Sequence, residues 1–305
     1  MIYQRTLAKE VELTGIGIHS GRKVKLKMYP AGANTGIVFK RTDVKGAKSI
    51  RAAALNVGPT NNNTTLGDGP DAIHTVEHLL AAFYGFGIDN VYIEIDGPEV
   101  PIMDGSSGSF VFVIKETGIE NLNQSKQFMV ILETVKVEHN GTWAMIEPAN
   151  NLIIDSTIVF AHPIINQQRE VFEFSCENFL DNISRARTFG MLRDVDELKR
   201  RGLVKGGSLD NAVVLDDYKV VNDEGLRFQT EFVKHKILDT IGDVSLLGYE
   251  LAGKITTYKS GHYLHNVLCR KVLENPRCYE IVSASALTEE TRQSRRLPQI
   301  VTVTG

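Results

Sequence analysis

The chain has 305 residues, 42% of them hydrophobic and 23% charged, with a formal net charge of -3. A length of this order is expected to bury two cores rather than one. The near-neutral balance leaves no electrostatic footprint for nucleic acid or an acidic membrane surface, and no apolar run approaches the ~20 residues of a membrane-spanning helix.

The opening residues, Met1 to Thr6, contain no apolar h-region, so no secretory signal is expected. Residues 11–18, 24–29 and 36–41 read as strands punctuated by Gly and Asn. Residues 72–84 read as a helix closed by Gly85 and Gly87, residues 90–95 as a strand, and residues 107–116 as a second helix. Residues 120–126 are polar and lack periodicity, which places a boundary there between a first domain over 1–122 and a second over 127–305. Strands are expected at 128–132, 135–139, 143–147 and 152–160, then a helix over 231–247, a strand near 254–258 and a helix over 263–273. Each half therefore runs through several strands, then helix, strand, helix. The letters agree: Val76-Glu77-His78-Leu79-Leu80 resembles Val233-Lys234-His235-Lys236-Ile237. A duplicated α+β unit is expected, with the two main helices bringing their histidines to one shared interface. Three widely spaced cysteines, Cys176, Cys269 and Cys278, form no CxxC pair. They point to a reducing compartment, and against a disulfide framework or a thiolate zinc site.

Two patterns could carry chemistry. On the later helix His235, Asp239 and Asp243 recur every four residues, roughly opposite an apolar stripe of Val233, Ile237, Ile241 and Val244. This row is either a solvated polar face or a His-x-x-x-Asp metal pair with Asp243 behind it, since imidazole and carboxylate one turn apart can meet one ion. On the earlier helix His74-Thr75-Val76-Glu77-His78 matches the H-x-x-E-H pattern of inverted zinc proteases, with Glu77 as water activator. Its plainer reading is an amphipathic core helix flanked by two histidines. A catalytic zinc takes three protein ligands and keeps a position open, so the two helices cannot both supply two. Gly15 to Gly21 has one residue too many for a dinucleotide loop and no following helix, and no Walker A pattern exists. Gly206-Gly207-Ser208 reads as a turn. His262 falls where a strand ends and a helix opens.

Seven motifs, taken together and in order, resemble the UDP-3-O-acyl-N-acetylglucosamine deacetylase family over essentially the whole chain. They are Thr14 to Gly21, His74 to Leu79, Ile102 to Ser106, Ser184 to Gly190, Gly206 to Ala212, His235 to Asp239 and Tyr258 to His262. The resemblance implies metal ligands at His78, His235 and Asp239, with Glu77 as general base, His262 as general acid and Asp243 orienting it. Lys236 and Thr188 match groups that stabilise the substrate or the oxyanion; His74 is not carried over as a ligand. The implied fold is α+β: two similar domains, each a sheet layer with a helix layer, the helices sandwiched between the sheets, and a small insert in each. The second insert is expected at about residues 191–215, where Val195, Val204, Leu209, Ala212 and Val214 would line an acyl passage or, more plainly, a small core. Phe160 is expected at the uridine, Lys236 and His262 at the diphosphate, and His19 and Phe189 among the substrate contacts.

The implied reaction is zinc-dependent removal of acetate from the 2-acetamido group of an acylated UDP-sugar, with ferrous iron an alternative metal. A small-molecule substrate, no nucleic acid, no stable membrane insertion, a monomer and a cytoplasmic location follow as expectations, and no fused dehydratase domain is expected. The rival readings are an H-x-x-E-H zinc protease and a non-catalytic binding module for an acylated sugar nucleotide.

Overall fold

The computed structural model describes residues 2–200 and 202–286. The first unit comprises β1 (Tyr3–Leu7), β2 (Val11–Ile16), β3 (Lys23–Pro30), β4 (Ile37–Arg41), β5 (Ile50–Arg51), α1 (Glu77–Gly85), β6 (Val91–Ile95), α2 (Gly108–Thr117) and β7 (Ile119–Ser125). Its sheet has the order β2-β3-β6-β4-β5, antiparallel except where β4 runs parallel to β6, while β1 and β7 form a separate antiparallel pair.

The second unit begins with β8 (Gln127–Ile131), β9 (Val135–His139), β10 (Thr142–Glu147), β11 (Leu152–Val159) and β12 (Gln167–Glu173). An insert follows with α3 (Cys176–Asn182), β13 (Phe189–Met191), α4 (Leu192–Arg200) and β14 (Val213–Leu215). Then come α5 (Glu231–Val244), β15 (Glu250–Tyr258), α6 (His262–Glu274) and β16 (Tyr279–Ser283). The main sheet runs β9-β10-β15-β11-β12 with β11 parallel to β15, and β8, antiparallel to β16, joins it by pairing parallel with the start of β15, where in the first unit the corresponding ribbon stays separate. Strand for strand and helix for helix, this is the first unit repeated. The expected α+β duplication is therefore present in the topology.

Three local expectations change. The helix expected from residue 72 begins at Glu77. Before it, Ile73 bridges Leu66, His74 bridges Glu99, and Thr75 sits at φ 59, a left-handed conformation that a helix cannot absorb. Residues 120–126 are not an irregular link: all but Lys126 belong to β7, which pairs with β1. That strand carries no apolar alternation because most of its side chains are exposed or half-buried and its order comes from backbone pairing. The insert around residues 191–215 contains α4 and a parallel β13–β14 pair that the sequence did not suggest. Residues 287–305 of the expected second domain lie outside the described ones.

Two separate cores were expected, but one cluster of buried side chains runs through both units, from Leu7 and Phe39 to Ile255 and Val272. The reason is geometric. A sheet covers one face of its helix layer, and the other face needs a second apolar surface. Here α1 packs on α5 across the units. Accordingly α5 is buried on nearly every side, so His235, Asp239 and Asp243 are not a solvated face. The two helices lie backbone to backbone at Gly242, where a Cβ would lie 2.1 Å from the Glu77 carbonyl oxygen. Alanine at Gly242 would gain about 1 kcal/mol in helix propensity. Forcing two packed backbones apart costs about 1–3 kcal/mol or more, so the clash wins. Gly242→Ala should lower the melting temperature by several degrees and reduce activity beyond that, because Glu77 moves with α1. An unchanged thermal melt would show that the contact is not a constraint.

Candidate metal centre and active site

His78 lies in the first turn of α1, and His235 and Asp239 one turn apart on α5. All three are buried, and their ligand atoms lie within 4.8 Å of one another. Asp239 Oδ1 is 3.5 Å from His78 Nε2 and 3.4 Å from His235 Nε2. These separations are too long for good hydrogen bonds, and Asp239 Oδ1 has no donor among the described residues. A buried carboxylate oxygen facing two imidazole nitrogens without a proton between them is the arrangement that a small cation satisfies. The donor set, two imidazoles and one carboxylate, fits a catalytic divalent metal with an open position.

The surroundings prepare these ligands. His235 Nδ1 is 3.0 Å from the Ala186 carbonyl oxygen, so its proton sits there and the Nε2 lone pair faces Asp239. Burial depresses the His235 pKa to about 3 against the opposing pull of Asp239, so the ring is neutral and able to ligate. Burial works against the Asp239 carboxylate too, but His235 and Lys236 outweigh it and hold the carboxyl well below its usual range. Lys236 Nζ donates to Asp239 Oδ2 at 2.8 Å. The Ala186 carbonyl is fixed in turn by Arg187, whose backbone N–H and Nε donate to buried Glu231 in the first turn of α5 at 3.0 and 2.9 Å. Next along the chain, Thr188 donates its N–H to the Gly105 carbonyl at 2.8 Å.

Beside these residues stand a buried carboxyl and a buried imidazole, both with raised pKa. Glu77 Oε2 accepts from the Thr64 backbone at 3.0 Å, and Oε1 is 3.9 Å from His262 Nε2. Burial raises the Glu77 pKa, with His262 and His78 offsetting it in part. His262 opens α6 after a turn in which Lys259 takes φ 52. Its Nδ1 is 2.8 Å from Asp243 Oδ2, which leaves Nε2 facing Glu77 and, at 4.0 Å, Asp239 Oδ2. Burial disfavours the His262 imidazolium, but Asp243 and Glu77 overcome it and push its pKa up to about 9. Near neutral pH the histidine can thus donate a proton, and the glutamate beside it can accept one once ionised. Asp243, His262 and His265 also lie close enough to suggest a ligand set. Their contacts of 2.8 and 2.7 Å from Nδ1 to carboxylate are hydrogen bonds, however, so those atoms are already committed.

All of this opens on a cleft of about 1030 Å³. Glu77, the three ligand residues, His262, Lys236 and Thr188 line one part of it. Val195, Val204, Leu209, Ala212 and Val214 line an apolar arm contributed by the insert. His19, Phe160 and Phe189 also line it, the two phenylalanine rings meeting edge to face with centroids 5.3 Å apart. Asp243 stands behind the wall. His74 does not join the ligands: it precedes α1, so it cannot share a helical face with His78, and its Nδ1 is 2.9 Å from the Thr65 hydroxyl. Sequence reasoning missed Leu192 and Leu198, which line the apolar arm with Val195; their three-residue spacing could have shown it. It also missed Thr64 and His265, which reach the site only through the fold.

The family model for UDP-3-O-acyl N-acetylglycosamine deacetylase matches residues 4–274. Curated proteins named UDP-3-O-acyl-N-acetylglucosamine deacetylase are similar over nearly their whole length. One from Haemophilus ducreyi is 50% identical over 287 residues, covering 93% of this chain and 94% of its own. Another from Photobacterium profundum is 49% identical over 283 residues, covering 92% and 93%. A third from Acidithiobacillus ferrooxidans is 47% identical over 284 residues, covering 92% and 93%.

Removing Asp239 leaves two ligands where three converge. Asp239→Ala should weaken metal retention by more than the ~10–100-fold typical of losing a supporting partner, whereas His74→Ala should retain metal. Elemental analysis after dialysis decides it; full metal content in Asp239→Ala would remove that residue from the ligand set.

Proposed function

Because the chain belongs to the UDP-3-O-acyl N-acetylglycosamine deacetylase family, we propose that His78, His235, Asp239, Glu77 and His262 are the working groups of that hydrolysis. The enzyme removes the acetyl group from the 2-amino nitrogen of UDP-3-O-acyl-N-acetylglucosamine in lipid A biosynthesis. The observation that carries the residue assignment is a buried carboxyl and a buried imidazole, 3.9 Å apart, beside a His/His/Asp set whose Asp239 Oδ1 has no donor among the described residues.

His78, His235 and Asp239 would hold the metal, which supplies a water of lowered pKa and a polarised amide carbonyl. Zinc suits this donor set best, with ferrous iron the alternative. Glu77 accepts the proton of the attacking water. Thr188 and Lys236 face the cleft where the carbonyl oxygen gains charge, and each can stabilise it. His262 delivers its Nε2 proton to the departing amine, which cannot leave as an anion. It keeps its Nδ1 proton on Asp243, so the ring neither turns nor changes tautomer. The apolar arm takes the 3-O-acyl chain. Phe160 contacts the uridine, Lys236 and His262 the diphosphate, and His19 and Phe189 the rest of the bound sugar nucleotide. Each of these groups comes from one chain, so a monomer suffices. A cytoplasmic location agrees with cysteines that are all unpaired among the described residues. No described helix is long and apolar enough to cross a membrane.

The pH dependence follows from the two pKa directions. Activity should rise as Glu77 ionises, at a pH above the ordinary carboxylate range because burial raises it. It should fall as His262 loses its proton, at or below about 9, since a bound cation repels the imidazolium. Glu77→Ala should abolish the acidic limb and His262→Ala the basic one, each lowering turnover roughly 10²–10⁴-fold with metal retained. Wild-type turnover across pH in Glu77→Ala would refute the base assignment.

Burial of the acyl chain should contribute roughly 0.8 kcal/mol per CH₂. Part of this can be expressed in the transition state, so unacylated substrate should lose turnover as well as affinity. Leu209→Arg should depress kcat/KM selectively for long-chain substrates with metal content intact. Equal kcat/KM for long-acyl, short-acyl and unacylated UDP-sugars in the wild type would eliminate the passage.

A further inference from the structure

Behind His262, away from the cleft, a second histidine shares its carboxylate. His265 is buried on α6, one turn beyond His262. Its Nδ1 is 2.7 Å from Asp243 Oδ2, the same oxygen that His262 Nδ1 meets at 2.8 Å. Its Nε2 is 2.8 Å from Ser260 Oγ, in the turn joining β15 to α6. The other Asp243 oxygen accepts from the Thr64 hydroxyl. The two rings lie 6.4 Å apart, centroid to centroid, and nearly perpendicular at 82°, so they reach Oδ2 from different directions.

These contacts have a mechanical consequence. A carboxylate with one donor can rotate about its Cβ–Cγ bond; with donors on both oxygens and a second donor on one, it is held in one plane. The turn that delivers His262 also needs a tie. It passes through Lys259 at φ 52, and Gly261 has no side chain to anchor it. The Lys259 N–H ties the start of the turn to the Thr157 carbonyl at 2.8 Å, and the Ser260 side chain binds its next residue to the interior through His265. The ring of His265 therefore braces the turn against Asp243, while Asp243 braces His262.

We infer that His265 is a positioning residue for proton donation, holding Asp243 and the Ser260 turn so that His262 Nε2 stays aimed at the departing amine. The inference rests on His262 being the proton donor. His265 touches neither the cleft nor the ligand triad, so its effect should fall on turnover and leave metal content and KM unchanged.

The test measures kcat, KM and bound metal for His265→Leu and His265→Asn, each alone and in a His262→Ala background. His265→Leu removes both hydrogen bonds and should lower kcat about tenfold or more, with KM within about twofold. His265→Asn places an amide donor near the position of Nδ1 and should recover most of that loss. In the His262→Ala background His265→Leu should cost almost nothing further, because the two residues act through one proton transfer. Should the Leu variant fail to fold, Ser260→Ala removes the other end of the brace; it should give a smaller loss in kcat alone that likewise vanishes in the His262→Ala background. A wild-type kcat in His265→Leu, or the same fractional loss with and without His262, would overturn the inference. Wild-type turnover in His262→Ala alone would instead refute the donor assignment, and the inference with it.

Discussion

Where α1 and α5 meet, the Gly242 backbone lies against the Glu77 carbonyl so closely that even a methyl group has no room. Every working distance in the site depends on this approach. It sets Glu77 and His78, from one unit, against His235, Asp239 and Asp243 from the other. Both helices then lie between apolar surfaces, which is why the two units share one continuous core. The same burial leaves the polar atoms of His78, His235 and Asp239 largely dependent on each other.

That dependence explains the electrostatic layout. Three carboxylates, Glu77, Asp239 and Asp243, are buried within one small region together with histidines, with half-buried Lys236 beside them. Burial alone would neutralise all of them, and the differences come from partners. Asp243 receives hydrogen bonds from two imidazoles and Thr64 and stays ionised. Asp239 has Lys236 on one oxygen and two imidazoles facing the other. Glu77 has a single backbone donor, and its pKa rises. The carboxylate with the least support is thus the one best suited to take up and release a proton.

The cleft joins this polar centre to an apolar arm built by the insert. Residues of α4 and of the loop after it line that arm, and the same insert reaches back to the first unit: the N–H groups of Lys205 and Gly206 donate to the His19 and Ile18 carbonyls at 3.3 and 3.0 Å. Gly206 is needed there, since a Cβ would sit 2.4 Å from the Gly17 carbonyl oxygen. Glu99 holds the other side of the same loop through the His19 and Ser20 amides at 3.0 and 2.8 Å, and also accepts from Thr75, two residues before Glu77. The walls of the apolar arm and Glu77 on α1 are in this way referred to a common support.

The sequence by itself determined the repeated order of strands and helices, because periodicity and glycine punctuation are local properties. It also determined the His-x-x-x-Asp pair on α5, because an i,i+4 spacing is fixed by the helix. Motif order pointed to His78, Glu77 and His262, which the fold brings to one cleft. The start of α1 was not legible, since Thr75 takes a left-handed conformation only under the hydrogen bonds of Asn63 and Glu99. That start separates the two patterns geometrically: with the helix beginning at Glu77, His74 is off the face of His78, and the side chains that converge on His78 are His235 and Asp239 of the other unit. Likewise β7 could not be read, because a polar edge strand owes its order to a partner more than a hundred residues away. The roles of Thr64 and His265 were hidden for the same reason. Each acts through a contact with Asp243 on another element, and only the packing of α1, α5 and α6 together decides which side chains share that carboxylate.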